Sequence, residues 1–285
     1  MEQSTAVCVI GPGRAGTSLT MRVLNLLGVY VGPEGELVEP GPGGPKGFWE
    51  RRDIITLNDR LLRAQGGSWR KPPQLPPGWE ATAELEFERE EARTILSETF
   101  AGHELCGWKD PRVSLTTAFW QRIVPDLRFV ICLRNPIDNA DSISPPPSRK
   151  QDEGFYYARR GVRGERAYRL WMTYLGSALA NTEGWPRMLV SYDEYFDDLA
   201  GVVERLARFV GRRPPRPGDE ASRLIEDFVE RDLRHYSTPT AEVLRDARLP
   251  PEVAALYREA EALRAAQAGD RSALDAGLEH DPSAP

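Results

Sequence analysis

Short, unbroken apolar runs recur along the chain between longer stretches whose apolar positions repeat every three or four residues. The runs at 6–10, 105–109, 128–133 and 187–191 are too short for helices and are bounded by turn residues, so they predict buried strands. Amphipathic spacing predicts helices at 19–27, 83–100, 115–123, 156–181, 202–210, 221–231 and 253–266. Ile54, Leu57, Leu61 and Leu62 predict a further helix behind Asp53, read as its N-cap. Another starts at Pro136 and runs to Ile143, capped by Asn135. Residues 29–31 predict a short strand, 32–47 a Gly/Pro-rich loop that a ligand would order, 71–78 a proline-rich linker and 144–153 an exposed loop. Strands separated by helices build an α/β fold, here a doubly wound parallel sheet with flanking helices. In that fold ligands bind beyond the C-terminal strand ends.

At 285 residues and 40% hydrophobic, the chain can bury a full core. No compositional break divides it, which predicts one domain over 1–268, with 210–268 a helical C-terminal extension and 269–285 a disordered polar tail. A net charge of −6 argues against nucleic acid or a membrane surface as partner, because neither polyanion is drawn to an acidic protein. Cys8, Cys106 and Cys132 each lie in a short apolar or β-like run with no second cysteine at metal-ligand spacing, which predicts buried, reduced thiols and no metal. Without a basic leader or a long apolar stretch, the expected location is cytoplasmic, with no stable membrane insertion. The pattern leaves the oligomeric state open, a homo-oligomer included.

The chemistry begins at residues 11–18, Gly-Pro-Gly-Arg-Ala-Gly-Thr-Ser, between the first strand and the first helix. Glycines let backbone N–H groups approach an anion that a helix N-terminus already attracts, so this stretch predicts a phosphate cradle. Gly11 and Gly16 keep the spacing of the nucleoside-triphosphate loop, but Thr17 stands where that loop carries lysine, and the nearby cation is Arg14. For these residues alone, a bare strand-to-helix turn is the alternative. A second anion seat is predicted from Arg134, ending the third strand, and Ser142, about two turns into the following helix. A forked guanidinium and a hydroxyl suit a dianionic phosphate monoester. Either residue alone is explained as a carbonyl cap or a packed serine; the two motifs in order favour anion binding.

The 11–18 loop, Lys109-Asp110-Pro111-Arg112, the stretch from Arg134 to Ser142, and Leu189-Val190-Ser191-Tyr192-Asp193-Glu194 together resemble bacterial sulfotransferases that use 3′-phosphoadenosine 5′-phosphosulfate (PAPS). The resemblance spans residues 6–210 and implies a P-loop-like architecture, PAPS as donor, adenosine 3′,5′-bisphosphate (PAP) as product and no metal. It implies 5′-phosphosulfate contacts from Gly13, Arg14, Ala15, Gly16, Thr17 and Ser18, and 3′-phosphate contacts from Arg134 and Ser142. Tyr192 is implied as an adenine contact, with a core aromatic as its other reading. Ala15 departs from the Ser or Gly of many members, though its backbone N–H still donates. The two seats are expected a nucleotide's length apart at the mouths of neighbouring strands.

Sulfuryl transfer is an in-line displacement, in which positioning and stabilisation of charge on the leaving oxygen do most of the work. Arg14 is the expected stabiliser and Lys109 a second cation; a permanently charged arginine cannot act as proton donor. Glu50, Asp110 and His103 are candidate general bases. Glu50, after Phe48 and Trp49, is preferred, with a first-turn helix acid as its alternative, whereas Asp110 beside Lys109 also reads as a structural ion pair. His103 falls before its strand, on the wrong side of the sheet. By the same resemblance Arg149, Lys150, Arg159, Arg160, Arg163 and Arg166 close over the nucleotide; otherwise they form a solvated face balanced by Asp152, Glu153 and Glu165. Phe48, Trp49, Trp69 and Trp79 line an acceptor cleft or belong to the core. The acceptor is read as a hydroxyl, less readily an amine, of a small molecule, lipid or glycan of secondary metabolism. Two rivals stay open: a P-loop kinase of a small metabolite with Asp110 as magnesium ligand, and a non-catalytic adenosine-bisphosphate binding module in which Glu50 and Asp110 are idle.

Overall fold

The structure, a computed structural model, describes residues 5–41, 46–143, 162, 164–229 and 237–269. Four parallel strands, β1 (Thr5–Ile10), β2 (Leu105–Lys109), β3 (Leu127–Leu133) and β4 (Arg187–Ser191), form a sheet in the order β2-β1-β3-β4. Cys8 lies opposite Trp108 on one side and Phe129 on the other, and Ile131 lies opposite Leu189. The pleat sends Ala6, Cys8 and Ile10 to one face and Val7 and Val9 to the other, and both faces are covered. That is why these strands read as continuous apolar runs and not as alternating ones.

In chain order the longer helices are α1 (Thr17–Leu26), α2 (Arg52–Ala64), α3 (Glu86–Phe100), α4 (Val113–Gln121), α5 (Pro136–Ile143), α6 (Glu165–Asn181), α7 (Leu199–Phe209), α8 (Glu220–Phe228) and α9 (Pro251–Gly269). Apolar residues of α1, α7 and α8 share a core with Val7, Val9 and Val130. Those of α2 to α6 and α9 pack with Ala6, Cys8, Phe129 and Ile131 on the opposite face. Helices on both faces make the sheet doubly wound. The chain leaves β1 for β2 on one side and returns to β3 on the other. The carboxyl ends of β1 and β3 therefore flank the point where strand order reverses, the place where such sheets hold ligands.

Three local expectations change. Asp53 does not cap α2: Arg51 occupies the cap position in an extended conformation, and its guanidinium binds Glu36 at 2.6 Å and Asp53 at 2.5 Å. A bridge between Leu37 and Arg51 holds that extension. Residues 29–31 contribute a lone bridge from Tyr30 to Cys106, not a strand. The helix predicted at 83–100 opens as a 3-10 turn at Ala83–Leu85 before α3. The predicted helix over 156–181 is described from Glu165; its earlier part apart from Val162, residues 42–45, the 144–153 loop, 230–231 and the tail from 270 lie outside the described residues.

Two contacts tie the C-terminal segment to the sheet. Gln267 of α9 accepts from the Leu189 N–H at 2.8 Å and donates to the Arg187 carbonyl at 3.1 Å, so a side chain serves backbone groups of β4. The buried Asp138 carboxylate of α5 accepts from the Thr238 N–H and hydroxyl at 3.0 and 2.6 Å. Among the described residues no helix is long and apolar enough to cross a membrane.

Candidate active site

The loop after β1 turns sharply because Gly11 (φ 124°) and Gly16 (φ 90°) adopt left-handed backbone, and Arg14 (φ 70°) does so without being glycine. A Cβ on Gly11 would stand 2.5 Å from the Cys132 carbonyl, and one on Gly16 would stand 2.7 Å from the Tyr192 ring. Gly16 is also the N-cap of α1 and offers no side chain to its first N–H groups, which leaves them for an anion. Surrounding side chains fix the loop. The Gly11 N–H donates to Ser114 Oγ (3.0 Å), Asn139 Nδ2 donates to the Gly13 carbonyl (3.0 Å), and Ser18 Oγ donates to the Phe48 carbonyl (2.9 Å).

The element after β3 meets this loop directly. Arg14 Nε donates to Ser142 Oγ at 3.1 Å, and an Arg134 terminal nitrogen donates to the Arg14 carbonyl at 3.1 Å. Asn135 caps α5 as expected, its Oδ1 accepting from the Asp138 N–H at 2.8 Å. Arg134 is 5% exposed, lies 4.3 Å above the Tyr192 ring, and forms no ion pair with a carboxylate among the described residues. Its buried Nε has no hydrogen-bond partner among the described residues. Burial lowers its pKa; Tyr192 opposes this, and the Arg14 charge adds to it. A buried guanidinium that forms no ion pair among the described residues is a group that an anion would stabilise. Residues of the two predicted seats are thus in contact, not a nucleotide's length apart, because Asn139 and Ser142 of α5 reach the loop of the neighbouring strand.

At the end of β2, Lys109 donates to Glu50 Oε1 at 2.6 Å; the lysine is 3% exposed and the glutamate 15%. Glu50 Oε2 carries no hydrogen bond among the described residues. The segment bearing Glu50 is held from three sides: the Glu50 carbonyl accepts from the Val38 N–H, Ser18 grips Phe48, and Arg22 lies 4.7 Å over the Trp49 ring. Asp110 is fully buried, with Oδ2 accepting from Asn58 (2.9 Å) and Oδ1 from the Arg112 N–H and guanidinium (both 2.9 Å). Burial lowers the Arg112 pKa, but Asp110, Asp59 and Glu50 outweigh it and raise the pKa well above the ordinary value.

The sulfotransferase family model matches residues 6–216, from the first strand through the loop, both arginines and the segment after β4. The chain belongs to the sulfotransferase family. Among solved structures, the sulfotransferase domain from the curacin biosynthetic pathway is 13% identical with a TM-score of 0.51, covering 90% of this chain and 98% of its own. A sulfotransferase from Alicyclobacillus acidocaldarius is 17% identical (TM-score 0.45; 95% and 98% covered), and sulfotransferase STF1 from Mycobacterium tuberculosis H37Rv is 16% identical (TM-score 0.45; 85% and 76%). No curated protein matches by sequence. The curacin domain shares the fold, a parallel sheet flanked by helices with P-loop-like architecture.

In this member of the sulfotransferase family the residues read from sequence fall into two groups. Gly13 to Ser18, Arg134, Ser142 and Tyr192 gather at the ends of β1, β3 and β4, while Glu50, Lys109 and Asp110 gather at the end of β2. The aromatic set does not form one cleft: Trp79 is in the core with Trp69 packed on it, whereas Trp49 packs on the opposite core. His103 stacks on Tyr30 with ring centroids 3.5 Å apart. Of the basic stretch only Arg166 lies within the described residues. Sequence reading missed Ser114, Asn139 and Asn58. Asn139 lies one turn before Ser142 on the same helix face, a signal that was present; the contact of Ser114 with a loop 103 residues away left none.

Proposed function

We propose that the chain transfers a sulfuryl group from PAPS to a hydroxyl of a small-molecule, lipid or glycan acceptor. The observation that carries this reading is the direct contact of Arg14 with Ser142 and of Arg134 with the Arg14 carbonyl, which joins two anion-binding motifs beside one strand switch. The phosphates of PAP sit at the 3′ and 5′ positions of one ribose, so adjacent seats suit it better than separated ones. Arg134 and Ser142 are the 3′-phosphate ligands, the backbone from Gly13 to Ser18 holds the 5′ end, and Tyr192, positioned against Gly16 and beneath Arg134, borders the nucleoside.

PAPS supplies the sulfuryl group when bound. Lys109 and Arg14 offer positive charge where the leaving oxygen gains negative charge. Lys109 also holds Glu50 by one oxygen, and Oε2 is left to take the acceptor's proton. Asp110 orients Arg112 and Asn58 and is not the acceptor base, because both of its oxygens are engaged inside the protein. The same engagement disfavours the kinase reading, in which Asp110 would face a metal.

Calorimetry with PAP tests the assignment. Binding by the unaltered protein, weakened in Arg134→Ala by about 1.5–3 kcal/mol, is the expected result for losing hydrogen bonds to a charged group. No binding, or an affinity untouched by the substitution, overturns it.

A further inference from the structure

Val253, Tyr257, Ala260, Arg264 and Gln267 follow one another at intervals of three or four residues and so share one face of α9. The first three are buried in the core. Arg264 and Gln267 instead make polar contacts at the end of β4, and both lie beyond residue 216, where the family match stops. There the Tyr192 N–H donates to the Leu133 carbonyl of β3 at 2.8 Å, whereas those of Leu189 and Ser191 take side-chain acceptors. Gln267 serves Leu189 directly, and Glu194 Oε2 accepts from the Ser191 N–H at 2.8 Å. Arg264 in turn holds Glu194: its guanidinium donates to Oε1 at 2.7 Å, where Arg205 of α7 also donates at 2.8 Å. Two further hydrogen bonds to Glu261, at 3.0 and 2.8 Å, fix the Arg264 fork itself.

Between Ser191 and Glu194 stands Tyr192, the aromatic ring 4.3 Å beneath Arg134. Phe196, in the helical turn Glu194–Asp197, packs edge-on against that ring with centroids 5.1 Å apart. The Tyr195 hydroxyl of the same turn donates to Thr20 of α1 at 2.8 Å. The turn is therefore fastened to β4, α1, α7 and α9, and Glu194 is the group that joins three of those four. We propose that Glu194, held by Arg264, is a positioning residue for the donor nucleotide: it sets the Tyr192 ring that borders the nucleoside beneath Arg134. This rests on the reading of PAP as the ligand. The position needs a carboxylate, because a glutamine of the same shape has a single acceptor oxygen and turns its amide nitrogen either to the Ser191 N–H or to the two guanidinium groups.

Calorimetry with PAP tests the role on Glu194→Gln, Arg264→Gln and Arg264→Lys. The two glutamine variants are also placed in a Tyr192→Leu background, and urea midpoints show which variants are folded. The expected result is PAP binding about tenfold weaker in Glu194→Gln and about threefold weaker in Arg264→Gln, with Arg264→Lys close to the unaltered protein. Because both residues act through the ring, neither substitution costs anything further once Tyr192 is replaced. PAP affinity untouched by Glu194→Gln, losses that add in full in the Tyr192→Leu background, or a lysine no better than glutamine at 264 overturns the role. Should Glu194→Gln not fold, the Arg264→Gln arm decides by the same criteria. If the unaltered protein binds no PAP, the donor assignment itself falls and the role with it, an outcome distinct from binding that ignores the substitutions.

Discussion

Glu50 has one oxygen on Lys109 and the other without a partner among the described residues, so its replacement separates chemistry from binding. Glu50→Gln keeps shape and can still accept from Lys109, but cannot take a proton. Turnover is expected to fall by about a hundredfold or more, the usual contribution of a general base, with PAP affinity nearly unchanged. Steady-state rates beside calorimetry check this, and full turnover in the variant removes Glu50 from the role. At Gly16, alanine meets both a left-handed backbone and the Tyr192 ring. Gly16→Ala should lower stability by about 1–3 kcal/mol and weaken PAP as well, measured by urea denaturation and calorimetry. The placement of these residues was legible: residue type and spacing put the glycines, Arg134 and Ser142 just after strand ends, where the structure has them. The partner of Asp110 was not, because Asn58 becomes its neighbour only when α2 packs across the end of β2.

Among elements, the strands were the most legible and the helix starts the least. The ranges 105–109 and 187–191 coincide with β2 and β4, since a run buried on both faces shows in composition alone. The start of α2 was misread because Asp53 has the residue type of a cap, whereas the Arg51 clamp on Glu36 depends on a bridge that local sequence does not reveal. Asn58 links the elements around β2: fully buried, it donates to Asp110 and accepts from Thr116 Oγ1 (2.8 Å) and Trp120 Nε1 (3.0 Å). Asn58→Ala strands the buried Trp120 indole N–H and one Asp110 oxygen and leaves Thr116 Oγ1 only the Arg112 carbonyl at 3.4 Å, and at about 1–3 kcal/mol for each unsatisfied group the variant should unfold at markedly lower urea, read by fluorescence. Asn58→Asp should be worse, placing a second acid against Asp110.

For the whole molecule, sheet order was not readable from the strands themselves, yet it is what brings the 11–18 loop beside Arg134. Burial has a global consequence for pH. It raises the Cys106 and Cys132 thiols to about 12 from an ordinary 9.0, and raises Cys8 and Tyr195 well above their usual values. The folded state thus favours the neutral forms. This stabilisation is complete below the unfolded pKa near 9 and is lost as pH rises towards about 12. Urea midpoints should accordingly decline across that window, and iodoacetamide should label none of the three cysteines in the native protein at neutral pH.

A chain ended at residue 216 would retain every position of the family match, yet it would forfeit Gln267 and Thr238. Stripped of its glutamine clasp, the rim of the sheet would be open to zip onto the same strand of another molecule, while the buried Asp138 carboxylate would keep only the Asn135 side-chain hydrogen bond. Size-exclusion chromatography of such a truncation should therefore show self-association, not a tidy minimal enzyme.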